Sequence, residues 1–361
     1  MRIVMRAIVT ILCMMLVFSL SGCGATTDGD QVALPTSATN SVVDAVGAEL
    51  EIPESGDVSI ASVYAVSVPF IVALDLSDQV VAINYKSKFW ADNVEGLANA
   101  GSVGRGIVDL ELLAEYDPDV LIHRTGDPRT LEAVSALNVP VMCIRAENYE
   151  EILSTLDMMG RYFHAEARAE EVKDWMDSKF DKIAQIVETI PQDERLSAIV
   201  LGNEVGVVAG GDMLQSWMVQ QAGGISLTSD IIETGNENEG LPTAWTNIGV
   251  ESVFDMDPDV IFCTSSTVLN YSVEELLESQ TWSEMKAVKD RRVLQIPAKW
   301  DAWDLPGVNC TLGTMWMLHS MYPEYFSAEE LQAEIDDYYT FMFGRTFDRE
   351  YIGYELTPRE E

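Results

Sequence analysis

Two stretches of this chain carry one pattern: Ile107-Val-Asp-Leu-Glu-Leu-Leu-Ala-Glu-Tyr-Asp-Pro-Asp-Val-Leu-Ile122 and Ile248-Gly-Val-Glu-Ser-Val-Phe-Asp-Met-Asp-Pro-Asp-Val-Ile-Phe262. Each reads as a short helix, an Asp-Pro-Asp turn and a buried strand. Pro118 and Pro258 cannot continue the helices before them. Val120-Leu-Ile and Val260-Ile-Phe are unbroken apolar runs, the signature of parallel strands covered on both faces. A unit that occurs twice predicts two similar α/β halves.

Working outward, short apolar runs alternate with helical patterns in both halves. Val58–Val63, Val80–Ile83, Val120–Ile122 and Val139–Ile144 fall in the first, and Ala198–Leu201, Val205–Val208, Val260–Phe262 and Val293–Ile296 in the second. This alternation predicts a parallel sheet in each lobe. Between them, Glu166 to Ile190 contains no Gly or Pro and keeps Val172, Trp175, Met176, Phe180, Ile183, Ile186 and Val187 at helical spacing. It predicts one stiff linking helix. The fold class expected is therefore α/β, with two doubly wound lobes of parallel sheet joined by one long helix. The lobes are assigned to residues 42–150 and 191–345, with linking helices over 151–190 and a tail over 346–361.

The start of the chain decides the compartment. Arg2 and Arg6 precede an apolar run, Ala7 to Leu20, and then Ser21-Gly22-Cys23. The run is shorter than the roughly 20 residues that a membrane helix needs, so residues 1–23 read as a secretory signal peptide. A polar spacer, 24–41, follows. Leu20-Ser21-Gly22-Cys23 resembles a bacterial lipobox, which implies acylation of Cys23 and a protein held outside the cytoplasm by its lipid.

The chain has 22 basic and 59 acidic residues, a balance of −37. So negative a protein excludes nucleic acid and anionic lipid as partners and makes its few cations informative. Cys143, Cys263 and Cys310 have no disulfide or zinc spacing and are expected to be structural. There is no Gly-x-Ser-x-Gly elbow, no phosphate loop ending in Lys-Ser/Thr and no His-Glu-x-x-His, so no enzyme is expected.

The lipobox, the paired Pro-Asp-Val segments, the linking helix, the Lys299-Trp-Asp-Ala-Trp-Asp-Leu-Pro-Gly loop, Leu312-Gly-Thr-Met-Trp316 and Tyr322-Pro-Glu-Tyr-Phe326 occur in a specific order. In that order the chain resembles the ABC-importer solute-binding proteins of the iron-siderophore, haem, vitamin B12 and molybdate class, over nearly all of residues 42–345. The resemblance implies a monomeric receptor working with permease and ATPase subunits. It carries a metal complex as cargo and has no resident cofactor. It also implies that Glu111 and Glu251, one per lobe, dock onto permease arginines.

Ligands of doubly wound lobes bind beyond the carboxyl ends of the strands. The loops there supply Tyr64, Lys86, Lys88, Trp90, Arg105 and Arg124 from the first lobe, and Trp245, Ser265, Lys299, Trp300 and Trp303 from the second. Cations among aromatics suit an anionic chelate, and a ferric siderophore-like complex or haem fits best. Cobalamin or molybdate/tungstate, or a surface sensor or adhesin without transport, are the alternatives. A bare divalent ion is disfavoured because, of His123, His164 and His319, only His123 follows this placement rule.

Overall fold

The computed structural model describes residues 40–104, 107–124, 128–232, 245–265, 267–299 and 302–353. It begins with a hairpin that the sequence reading did not include. Strands β1 (Ser41–Val43) and β2 (Glu49–Glu51) pair antiparallel across a turn at Gly47, whose φ of 83° suits a residue without Cβ. The turn closes one edge of the following sheet: Cys143 N–H donates to the Asp44 carboxylate at 2.9 Å, and Ala45 N–H to the Cys143 carbonyl at 3.0 Å.

The first lobe then alternates strand and helix: β3 (Ile60–Ser62), α1 (Ser67–Ala73), β4 (Val80–Ile83), α2 (Lys88–Asn93), β5 (Gly101–Ser102), α3 (Leu110–Tyr116), β6 (Val120–Arg124), α4 (Pro128–Ser135) and β7 (Val141–Ile144). All five strands are parallel, in the order β5-β4-β3-β6-β7. Most of their residues are buried, as two covered faces require, while Arg124 at the end of β6 is exposed. Two helices follow, α5 (Tyr149–Tyr162) and the 22-residue α6 (Glu166–Val187). At 1.5 Å per residue α6 is a rod of about 33 Å.

The second lobe comprises β8 (Ser197–Leu201), β9 (Val207–Val208), α7 (Leu214–Gln221), β10 (Ile225–Ser226), β11 (Thr246–Asn247), α8 (Val250–Met256), β12 (Val260–Cys263), α9 (Val273–Glu278), α10 (Lys286–Lys289) and β13 (Val293–Gln295). Strands β10, β8, β12 and β13 pair in parallel. The Val205–Val208 run differs from expectation. Only five residues separate β8 from β9, too few for a crossover, so the chain folds straight back and β9 pairs antiparallel to β8, with β11 antiparallel to β9.

The remaining helices are α11 (Cys310–Met321), α12 (Ala328–Phe343) and α13 (Arg349–Ile352). Every residue of α11 is buried, which places it within the core. Helix α12 is tied to the linking helix: Lys179 pairs with Glu334 at 2.7 Å and Asp337 at 2.6 Å, Lys182 with Glu334 at 2.6 Å, and Trp175 stacks on Phe341 at 4.7 Å. Its last turn also reaches the first lobe, where Phe343 stacks on Trp90 at 5.0 Å.

The repeated Asp-Pro-Asp turns now have a structural meaning. Asp117 and Asp257 end α3 and α8 in the left-handed region, with φ 45° and 42°. The second aspartate of each turn clasps the strand next door. Ser59 donates its N–H and Oγ–H to the Asp119 carboxylate at 2.8 and 2.7 Å, and receives the Asp119 N–H on Oγ at 2.9 Å. Ser197 and Asp259 repeat this at 2.9, 2.6 and 3.1 Å. These bonds hold the carboxylates of Asp119 and Asp259 below the usual range; at Asp259 they prevail over burial, which acts the other way.

Candidate functional site

The register of the first sheet brings three side chains together. Ser62 pairs with Ile122, and Arg124 with Ile144. Tyr64 therefore leaves β3 at about the level of Arg124 on β6, and the loop after β7 carries Glu147 beside them. Neighbouring strands lie about 4.8 Å apart, so these residues project from one side of the sheet's carboxyl edge. Burial, then the charge of Glu147, pushes the Tyr64 phenol above its ordinary pKa, while Arg124 draws it down. Burial, then Glu151, raises the Glu147 carboxyl; Arg145 and Arg124 act against this. Among the described residues no side chain or backbone group hydrogen-bonds the Tyr64 hydroxyl, the Arg124 guanidinium or the Glu147 carboxylate. Tyr64 and Glu147 are half-buried and Arg124 is exposed, so the polar atoms of all three are open to a ligand or to solvent.

The second lobe meets this edge directly. Leu214 N–H, at the start of α7, donates to the Glu147 carbonyl at 2.9 Å. A Cβ placed on Gly307 would lie 3.4 Å from Pro69 in α1, so the 302–309 loop also abuts the first lobe.

Ser265 follows β12 and is locked by Asp304. That carboxylate accepts the hydroxyls of Thr264 and Ser265 and the Ser265 N–H at 3.2 and 3.3 Å. Asp304 is fully buried, and burial raises its pKa against the pull of these bonds. Ser265 and Lys299 line one groove of about 740 Å³ with Pro297, Trp316 and Gly353. Lys299 also donates to the Glu350 carbonyl at 2.9 Å. Trp245 is half-buried and covers Gly202 so closely that a Cβ there would stand 2.8 Å from the indole ring.

The other candidates are placed differently. Lys86 and Lys88 are exposed, and Lys88 pairs with Asp92 at 2.7 Å. Trp90 is packed between Phe89 and Phe343, and Trp303 is wholly buried beside Tyr339. Both indoles are core residues because each meets an aromatic of α12, a contact far away in sequence. Arg105, Trp300 and Cys23 lie outside the described residues. His319 bonds the Phe326 carbonyl at 2.8 Å and His164 the Pro53 carbonyl at 2.8 Å. No group of three or more His, Cys, Asp or Glu side chains able to hold a metal ion occurs among the described residues. Cys143 and Cys263 are buried free thiols, pushed by burial up to about 12. Glu147 and Asp304 were not singled out from sequence, although both sit in loops that the strand-end rule marks.

Glu111 and Glu251 are exposed in the first turns of α3 and α8, on the helices that enter the two Asp-Pro-Asp turns. Exposed apolar side chains stand beside both, Ile107 and Leu110 in one lobe and Val250 in the other. No helix of the described residues is long and apolar enough to cross a membrane.

Comparison with known proteins gives a consistent result. A family model described as periplasmic binding protein matches residues 60–300. The molybdate-binding protein MolA of Haemophilus influenzae is 21% identical over 300 residues, 74% of this chain and 81% of that protein. Its molybdate-bound structure superposes with a TM-score of 0.70 over 85% of this chain and 99% of that one, at 19% identity. An uncharacterized ABC transporter substrate-binding lipoprotein of Bacillus subtilis, YvrC, is 23% identical over 264 residues, 70% and 76% of the two chains. Helicobacter pylori CeuE with Ni(II) bound has a TM-score of 0.68 at 19% identity, over 86% and 98%.

Proposed function

The chain belongs to the periplasmic binding protein family, and on that premise we propose that it is the lipid-anchored receptor of an ABC importer, carrying a ferric siderophore-like chelate or haem between its lobes. The observation that carries this reading is the convergence of Tyr64, Arg124 and Glu147, whose side-chain polar groups no described residue hydrogen-bonds, at strand ends against which the second lobe is packed. A cation, a phenol and a carboxyl offer donors and an acceptor to an organic shell, and the half-buried Trp245 offers an apolar face. Lys86 and Lys88 follow β4 in the first lobe and Lys299 follows β13 in the second; these three, with Arg105 and Trp300, belong to the proposed ligand set by their loops.

Family members are solute carriers, and the chain is read as a carrier rather than an enzyme. Glu111 and Glu251 are the proposed permease contacts. Two exposed carboxylates held on matching helices of the two lobes fix orientation and speed encounter with a basic partner. Cys23 is the proposed lipid attachment point, and the protein is proposed to act as a monomer.

Thermal-shift and tryptophan-fluorescence titration of the purified protein with ferric hydroxamates, ferric catecholates, haem, cobalamin and molybdate tests the cargo. Ligand at 100 times its dissociation constant stabilises by about 2.7 kcal/mol. A shift with an iron chelate or haem alone supports this reading. A shift with molybdate alone transfers it to an oxyanion receptor, the second reading that similarity to MolA favours. Silence across the panel refutes both.

A further inference from the structure

Resting on this receptor reading, we propose that Glu147 is a specificity-determining residue, favouring a cargo with a hydrogen-bond donor or positive group beside its anionic end and penalising a bare oxyanion such as molybdate.

Both lobes fix the backbone of Glu147. Its carbonyl accepts Leu214 N–H of the second lobe at 2.9 Å, and its own N–H donates to Glu151 at 2.8 Å. Glu151 is in turn paired with Arg145 at 2.9 Å, so the arginine in the same loop is already engaged by another carboxylate. The Glu147 side chain remains half-buried beside Tyr64 and Arg124, without a hydrogen bond from any described residue. The upward shift of its carboxyl, caused first by burial and then by Glu151, is what such incomplete neutralisation produces.

An anion that binds Arg124 therefore arrives next to an acid. An ionised Glu147 repels a dianion held on Arg124, more strongly than in bulk water because the Glu147 side chain is half-buried. A carboxylate can only accept hydrogen bonds, and a tetrahedral oxyanion without protons has none to donate. A chelate is different: siderophore-type ligands carry amide N–H or ammonium groups next to their metal-bound oxygens, so one molecule can satisfy Glu147 and Arg124 together. Leaving a buried acceptor unmatched is what makes polar discrimination strong.

Calorimetric titration of sodium molybdate at pH 7.5 into the wild type, Glu147→Gln and Glu147→Ala tests this, with thermal melts confirming that all three are folded. Both variants are expected to bind molybdate at least tenfold more tightly than the wild type, about 1.4 kcal/mol. Equal affinity in the three proteins, absence of binding in all three, or tighter binding by the wild type overturns the proposal. The receptor reading is judged separately, by whether the wild type binds any ferric chelate or haem.

Discussion

Replacing Asp259 with alanine removes the carboxylate that accepts both the N–H and the Oγ–H of Ser197, at 2.9 and 2.6 Å. The reverse bond, from Asp259 N–H to Ser197 Oγ, uses backbone and survives. A hydrogen bond to a charged acceptor is worth about 1.5–3 kcal/mol net. The site is half-buried, so water repairs part of the loss, and the two bonds together cost about 2–3 kcal/mol. Lys286 at 3.9 Å adds little, as exposed ion pairs do. Asp119→Ala breaks the same two bonds in the first lobe, but Asp119 is exposed, and the cost falls to about 1 kcal/mol. Urea unfolding followed by tryptophan fluorescence measures both values. The pH dependence supplies a check with a defined sign: both aspartates have lowered folded pKa values. Each therefore contributes stability that is fully present above the unfolded value of about 3.9 and is lost as pH falls through the folded value. The wild type weakens as pH falls below about 4, and the double variant weakens less steeply there. An Asp119→Ala cost equal to or above that of Asp259→Ala, or a cost for Asp259→Ala under about 0.5 kcal/mol, refutes the reasoning.

Three further outcomes are expected. Gly202→Ala drives a methyl group into the Trp245 ring, which its Cβ would approach to 2.8 Å; a loss of about 1–3 kcal/mol in urea unfolding and altered tryptophan emission should follow. Glu334→Ala removes a carboxylate shared by Lys179, whose side chain is 14% exposed, and Lys182, 41% exposed, a cost of about 3 kcal/mol; Lys179→Met with Glu334→Leu takes the buried lysine out together with its partner and should recover part of it when both are scored by thermal melting, because Asp337 is half-exposed and rehydrates. Charge reversal at Glu111 and Glu251 together should abolish cargo uptake by cells while leaving the dissociation constant of the purified protein unchanged; a change in that constant would refute the docking assignment.

The fold was legible because its determinants are local. Pro118 and Pro258 stop helices, unbroken apolar triplets follow, and 25 residues without Gly or Pro form the link, all within short windows. What stayed hidden depended on partners distant in the chain. The clasp of Asp119 on Ser59 spans 60 residues and that of Asp259 on Ser197 spans 62, so the conspicuous motif could be found but its bonding could not. The β1–β2 hairpin lay in a stretch too short and polar to carry period-two alternation. Val207–Val208 has the composition of a parallel strand, and only the shortness of its connection to β8 dictates the opposite direction.

The candidate site was legible to the level of loops and no further, and its physics explains the boundary. Strand ends collect ligand groups by topology, so loops can be chosen from a strand pattern alone. Within a loop, whether a side chain faces ligand or core depends on what approaches it: Trp90 and Trp303 meet aromatics of α12, whereas Tyr64 and Arg124 meet nothing from the described fold that claims their polar groups. Scarcity directed attention to cations, since 22 bases among 59 acids stand out by number. Energetically the ranking reverses. Most of those acids are solvated, and water cancels their fields within about one Debye length. A half-buried carboxylate beside a phenol is costlier to leave unmatched than a solvated one, and on the proposed reading Glu147 weighs more in ligand choice than the surface cations that are easier to notice.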